Sequence, residues 1–397
     1  MKRRNTRLIH PDSKHPKPVG AVKTPVYASS TYRFESAEAG AATFALQQGR
    51  EVHHEAAPYN YARLGHPNLD TVEAQLLAVE NREPVASDAL AFESGMAAIT
   101  TTLLALLKPG AVLVTTTPLY GGTRQFIRDF LEKWGIRTWA LEPTHTAEQV
   151  LQGVNGVVPS VLYVETPANP TNQTWDWDYL VNLKKTWAAS GSNVWMIADN
   201  TYWGPCWQNP LDLGADLTLY SATKSMSGHS DLVCGACIGD ASLIKVIRSW
   251  RNKLGNTASP FTSWLLSRSL ETVTLRMKAA QDHAQILAPR LAQHPAVERL
   301  VYPGAGAMLS LWLHGPDNHN KAWAFLNELQ VIQLAVSLGS NESLACHPAS
   351  TTHSGIDPKE RQQHGIDERL IRLSIGIEDP EDLWEDLLAA LDATKNV

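Results

Sequence analysis

Leu69, Val72, Leu76 and Val79 recur at helical spacing, which predicts a helix from about Asn68 to Glu80. Short apolar runs then take turns with amphipathic stretches. Ala89–Phe92, Ala111–Thr115, Ile136–Ala140, Val161–Glu165, Val194–Asp199 and Leu217–Tyr220 read as strands. Gly95–Leu107 and Thr123–Lys133 read as helices, the first stopped by Lys108-Pro109-Gly110. Strands alternating with helices predict a mostly parallel sheet covered on both faces. Beyond about Gly255 the pattern changes. A long helical region, Ser263–Leu291, precedes short strands near Val297–Tyr302, Met308–Leu313 and Arg369–Ile375, and a helix over Pro380–Leu391 closes the chain. The segment before Tyr59 is irregular, with a short helical piece at Ala37–Gln48 and a polar loop at Gly49–Pro58. The expected division is an N-terminal arm and lid (1–60), an α/β domain (61–255) and a smaller C-terminal α+β domain (256–397).

Composition narrows the classes. The 397 residues are 44% hydrophobic and 19% charged, enough to bury a sizeable core. A net charge of -6, with Lys2-Arg3-Arg4 as the one basic run and read as a solubilising tail, gives no footprint for nucleic acid. No apolar run approaches membrane-spanning length, and Met1–Gly20 is polar and Pro-rich, unlike a secretory signal. A cytoplasmic enzyme is expected. Four cysteines do not make a disulfide framework. Cys234-Gly-Ala-Cys237 lies in the apolar run Leu232–Ile238, so packing is the expected role. His53-His54-Glu55 sits in the polar loop, where adjacent histidines point apart, and no metal site is expected.

Ligands of open parallel sheets bind beyond the carboxyl ends of the strands, and distinctive residues follow those ends. Ser94-Gly95-Met96 opens a helix directly after a strand, a place whose free N–H groups suit a phosphate or a plain N-cap. Dinucleotide and P-loop glycine patterns do not occur there. Asp199 ends an apolar run and needs a partner, either a charged nitrogen or the following turn. Ser221-Ala-Thr223-Lys224 offers hydroxyls for a phosphate and an amine that enclosure would make nucleophilic. Ser221-x-x-Lys224 also matches a serine acyl-enzyme signature, but the S-D-N and K-T-G tripeptides of that class do not occur.

Taken with Tyr61-Ala-Arg63-Leu-Gly-His-Pro67, Tyr120-Gly-Gly-Thr123, Glu165-Thr-Pro-Ala-Asn169-Pro170, Gly228-His-Ser-Asp231, Ser337-Leu-Gly339 and Arg372–Asp379, these motifs resemble the Cys/Met-metabolism (trans-sulfuration) family of pyridoxal-phosphate enzymes. The resemblance runs from about Thr24 to Leu391. It implies the type I fold of such enzymes, aspartate-aminotransferase-like. It also implies that Lys224 carries pyridoxal 5'-phosphate as a Schiff base and acts as general base, and that Asp199 pairs with the pyridine nitrogen. Tyr120 would stack on the ring. Gly95, Met96, Ser221 and Thr223 would hold the phosphate, with Thr201 and Asn169 also on the cofactor. Tyr61 and Arg63 would reach the phosphate from a neighbouring subunit of a homotetramer, a dimer of dimers with shared sites. Arg372, with Ser337 and Asn169, would clamp the substrate carboxylate, and Tyr120 and Tyr61 would assist proton transfer.

The expected reaction is β- or γ-elimination on a sulfur amino acid, giving a 2-oxo acid and ammonia; the alternative is a γ-replacement synthase. Some positions depart from the relatives. Asn60 and Val336 stand where cystathionine γ-lyases typically carry glutamates, and Gly122 stands where methionine γ-lyases usually have cysteine. Leu338 stands where many cystathionine β-lyases have tryptophan. Trp203, if it faces the pocket, would narrow it.

Overall fold

The computed structural model describes residues 3–11, 20–47, 49–84 and 86–397. Its first sheet has seven strands: β1 (Ser87–Phe92), β2 (Val112–Thr116), β3 (Arg137–Leu141), β4 (Val161–Glu165), β5 (Trp195–Asp199), β6 (Leu217–Ser221) and β7 (Gly235–Asp240). Their order is β1-β7-β6-β5-β4-β2-β3. Five neighbours, β6-β5-β4-β2-β3, run parallel, while β7 is antiparallel to both β1 and β6. The expected sheet is therefore present, with a reversed strand inserted near one edge.

Alternation of side chains along a strand sends successive residues to opposite faces. Leu113, Tyr163, Ile197, Leu219 and Cys237 join the core beneath the helix Gly95–Leu106, where Ile99 and Leu103 are buried. Val114, Leu162 and Met196 pack on the other face against Leu180, Leu183 and Trp187 of the helix Trp177–Ala188. Tyr220, Ala236 and Ile238 meet Leu69, Val72 and Leu76 of the helix Pro67–Val79 on that face. Cys234 belongs to this second core and Cys237 to the first, so the two sulfurs lie on opposite sides of the sheet. All four cysteines are free. Each fully buried leucine contributes about 1.5–3 kcal/mol by leaving water.

A second sheet has order β10-β11-β12-β9-β8, with β8 (Val297–Val301), β9 (Met308–Leu313), β10 (Gln333–Leu334), β11 (Leu344–Cys346) and β12 (Leu370–Ser374). Ile371, Leu373 and Ile375 point into a core shared with Leu287, Phe325 and Leu387 of the flanking helices. Arg372, between them, belongs to the opposite face. The helical region expected over Ser263–Leu291 holds two helices, Pro260–Leu270 and Val273–Ala292. The N-terminal segment read as a tail contains a helix, Arg4–Ile9, whose Leu8 is fully buried against Leu76. Gln75 Nε2 donates to the Leu8 carbonyl at 2.6 Å, which anchors that turn. No helix among the described residues is long and apolar enough to cross a membrane.

Candidate active site

The carboxyl ends of β4, β5 and β6 open into a cavity of about 310 Å³. Eleven of the thirteen residues singled out from the sequence line it: Gly95, Met96, Tyr120, Asn169, Asp199, Thr201, Ser221, Thr223, Lys224, Ser337 and Arg372. The other two, Tyr61 and Arg63, are exposed on the surface of the same subunit. There the Arg63 guanidinium lies 5.6 Å from the Tyr61 ring centroid and donates to the Asn252 carbonyl.

One wall is a helix start packed unusually close to a strand. Ser94 caps the helix Gly95–Leu106 by accepting from Ala97 N at 3.0 Å, so the first N–H groups, on Gly95 and Met96, open the helix at the cavity. A Cβ on Gly95 would lie 2.7 Å from Ser221 Cβ, so glycine is what lets helix and strand meet. Ser221 and Thr223 stand opposite. Thr201 Oγ1 accepts from Ser221 N at 2.7 Å, and Thr223 Oγ1 donates to the Cys234 carbonyl at 3.2 Å. Backbone N–H groups, a helix dipole and two hydroxyls converge as a phosphate requires.

The floor holds two buried carboxylates. Glu165 and Asp199 are register partners on adjacent strands and project to one face. Asp199 accepts from Tyr163 Oη at 2.9 Å and Thr201 N at 3.1 Å. Glu165 accepts from Tyr120 N at 2.7 Å and Asn169 N at 3.3 Å. Among the described residues neither forms an ion pair. Burial, and for Glu165 the charge of Asp199, push both carboxyls above the ordinary range. The floor is short of a positive charge.

Across the cavity the shortage is reversed. Lys224 Nζ donates to Ser337 Oγ at 2.8 Å, and burial, then the Arg372 charge, lower its pKa. Arg372 is 3% exposed; it donates to Asn169 Oδ1 at 3.0 Å and to the Ser337 carbonyl at 2.6 Å, with no carboxylate partner among the described residues. Ser337 adopts φ +108°, a costly backbone for a non-glycine, and in it meets both cations. An anion entering here would complete the Arg372 fork.

Sequence reading gave no role to Glu165, Tyr163, Thr352 or Val233. Glu165 stood in a quoted motif, and its burial beside Asp199 becomes visible only once β4 and β5 are paired. Thr352 reaches the cavity from the run Pro348-Ala-Ser-Thr-Thr352, and Val233 with Val336 forms its outer edge. Trp203 does not line the cavity. Its Nε1 donates to the Ala305 carbonyl at 3.0 Å beside Gly306, because the turn after β5 carries the indole outward. Gly122 lies under Tyr120: a Cβ there would come within 2.7 Å of the tyrosine ring and 3.0 Å of Met96 Sδ.

A family model described as "Cys/Met metabolism PLP-dependent enzyme" matches residues 5–392. The chain belongs to this family. Its cofactor is pyridoxal phosphate, which the cradle, the unpaired carboxylates and the desolvated amine fit. L-methionine gamma-lyase of Pseudomonas putida is 37% identical over 407 residues, covering 98% of this chain and 97% of that one. Cystathionine gamma-lyase of Bacillus subtilis is 34% identical, covering 98% and 99%. Among solved structures, cystathionine gamma synthase from Xanthomonas oryzae pv. oryzae, in complex with aminoacrylate and cysteine, superposes with a TM-score of 0.88 at 31% identity, covering 100% and 99% of the two chains. The fold is thus that of the family's α/β enzymes.

Proposed function

We propose that the protein is a carbon–sulfur lyase that removes the sulfur substituent of an amino acid by β- or γ-elimination, releasing a 2-oxo acid and ammonia. The observation that carries this reading is the pairing of a desolvated amine, Lys224, with a buried, carboxylate-free guanidinium, Arg372, above a floor of unmatched carboxylates. Gly95, Met96, Ser221 and Thr223 would hold the cofactor phosphate. Asp199, Thr201, Asn169 and Tyr120 would hold and cover the ring, and Lys224 would bear its aldehyde carbon. When bound, the cofactor supplies an electron sink for the negative charge developing at Cα.

The chain's own residues do the rest. Arg372, with Ser337 and Asn169, grips the α-carboxylate and so fixes which bond at Cα is presented for cleavage. The lowered pKa of Lys224 favours the amine without a proton, the form able to take the one at Cα. Tyr120 stands over the cavity to move a proton at the sulfur that leaves. Val233 and Val336 offer an apolar outer wall, which suits an uncharged thioether. Tyr61 and Arg63, outside their own subunit's cavity, would complete the site of a neighbour in a homotetramer built as a dimer of dimers. The residue ranges 1–60, 61–255 and 256–397 would be its arm, cofactor domain and C-terminal domain, and the cytoplasm its compartment.

Purified protein loaded with cofactor should release 2-oxo acid from cystathionine, cysteine or methionine without added thiol. Product from O-acetylhomoserine alone among the four, and only when thiol is supplied, would replace this reading with a γ-replacement synthase. Mixing Arg63→Ala and Lys224→Ala subunits should restore part of the activity; no recovery after proven subunit exchange would remove the shared site.

A further inference from the structure

We propose that Glu165 is a positioning residue that ties the ring-covering Tyr120 and the Asn169–Arg372 carboxylate clamp to one point beside Asp199. Its two oxygens serve two separate segments. Oε2 accepts from the N–H of Tyr120, which begins the helix Gly121–Phe126, and Oε1 accepts from the N–H of Asn169 in the loop after β4. The Asn169 side chain in turn accepts from Arg372 at 3.0 Å. A single carboxyl group 3% exposed therefore stands between the residue over the cofactor face and the cation that grips the substrate. The titratable groups that act on it directly are Asp199, Tyr163 and Tyr202, while Arg372 reaches it through Asn169.

Burying a carboxylate beside another without a basic partner is unfavourable, and an apolar side chain would fill the space at lower cost. What an apolar group cannot do is accept from two converging N–H groups. Glutamine fails in a defined way: its oxygen serves one N–H while its amide NH2 faces the other, so one tether is lost with shape unchanged. Tyr120 and the clamp then shift relative to each other, and sub-ångström misplacement is sufficient to slow a reaction that depends on alignment.

The kinetic part of the test rests on the lyase reading; the spectroscopic part needs only bound cofactor. Wild type, Glu165→Gln, Tyr120→Phe and the double variant are compared as holoenzymes. Glu165→Gln should still bind pyridoxal phosphate, with a weaker visible circular dichroism of the bound ring. It should also raise KM and lower kcat by about tenfold or more. Combined with Tyr120→Phe, the loss in kcat should be smaller than the product of the single losses, since Glu165 acts in part by placing the hydroxyl that the second change removes. Should Glu165→Gln not fold, Glu165→Asp carries the same test, because a side chain shorter by one methylene cannot reach both N–H groups. Unchanged dichroism, KM and kcat in an active series, or losses that multiply, would overturn the proposal. A wild type that binds cofactor but eliminates nothing would instead remove the lyase reading, leaving the dichroism to judge Glu165.

Discussion

Glu73 and Glu165 are both buried glutamates with two hydrogen-bonded oxygens, yet their surroundings could hardly differ more. Glu73 meets Arg251 at 2.6 Å and Arg248 at 3.0 Å; Arg248 also reaches Asp88 at 2.7 Å, and Arg251 donates to the Ala91 carbonyl at 2.8 Å. Two carboxylates and two guanidiniums close on themselves and brace the helices Pro67–Val79 and Ala241–Leu254 against β1. Among the described residues, Glu165 and Asp199 have only N–H and hydroxyl donors, and Lys224 and Arg372 stand across a cavity from them without carboxylates. The first cluster balances its charges as folded, although Nε and Nη2 of Arg251 are buried without a hydrogen-bond partner among the described residues. The second is complete only with a bound cation on one side and a bound anion on the other, as a cofactor ring and an amino-acid substrate provide.

The titrations diverge accordingly. Burial pushes Glu73 up, but Arg248 and Arg251 outweigh it and hold the carboxyl below its ordinary value. Its contribution to stability is present above that ordinary value and is lost as pH falls through the folded one. Burial leaves Glu165 and Asp199 raised instead. Cofactor-free protein therefore loses stability as pH rises from the ordinary carboxylate range toward the raised values.

Five measurements sharpen or break this contrast. Lys224→Ala should lower 2-oxo acid release by about 10³-fold or more while leaving thermal unfolding little changed; borohydride labelling of wild type should mark Lys224 and no other side chain. Arg251→Ala should do the reverse. By leaving buried Glu73 with Arg248 as its remaining guanidinium it should cost about 3 kcal/mol in denaturant unfolding, with turnover per folded molecule unaffected. Arg372→Lys keeps the charge but loses the fork, so KM should rise about 10–100-fold, the worth of a charged hydrogen bond at roughly 1.5–3 kcal/mol. The smallest effect concerns cofactor removal. The gain in thermal midpoint on adding pyridoxal phosphate should be a few degrees larger at pH 8 than at pH 6; a gain that shrinks with pH would contradict the unmatched floor.

Residues at strand ends were readable because an apolar run that stops at Asp199 or leads into Ser221-Ala-Thr223-Lys224 is a local feature, and most of the site followed from such runs. Less was readable wherever the position depends on distant chain. Cys237 and Leu219 share one face because β7 enters antiparallel between β1 and β6, a pairing that hydrophobic periodicity does not specify. β10 and β11, of two and three residues, are too short to carry a period. Trp203 was legible as an unusual residue but not in its direction, which the Ala305 carbonyl and the close approach of Gly306 decide. Leu8 gave too short an amphipathic signal to mark its helix, although Gln75 and the core around Leu76 hold it in place.

The placement of the cysteines has a chemical corollary. A small thiol caps a protein cysteine only when an oxidant joins the two as a mixed disulfide, a step that needs an accessible thiolate. Cys234, Cys237 and Cys346 are sealed in the core, and burial pushes the thiols of Cys234 and Cys237 up to about 12, so they offer neither access nor thiolate. Cys206 alone is partly exposed, with its thiol pushed up to about 11. Where an oxidant and a small thiol are both present, mixed-disulfide formation falls first on Cys206 and spares the other three.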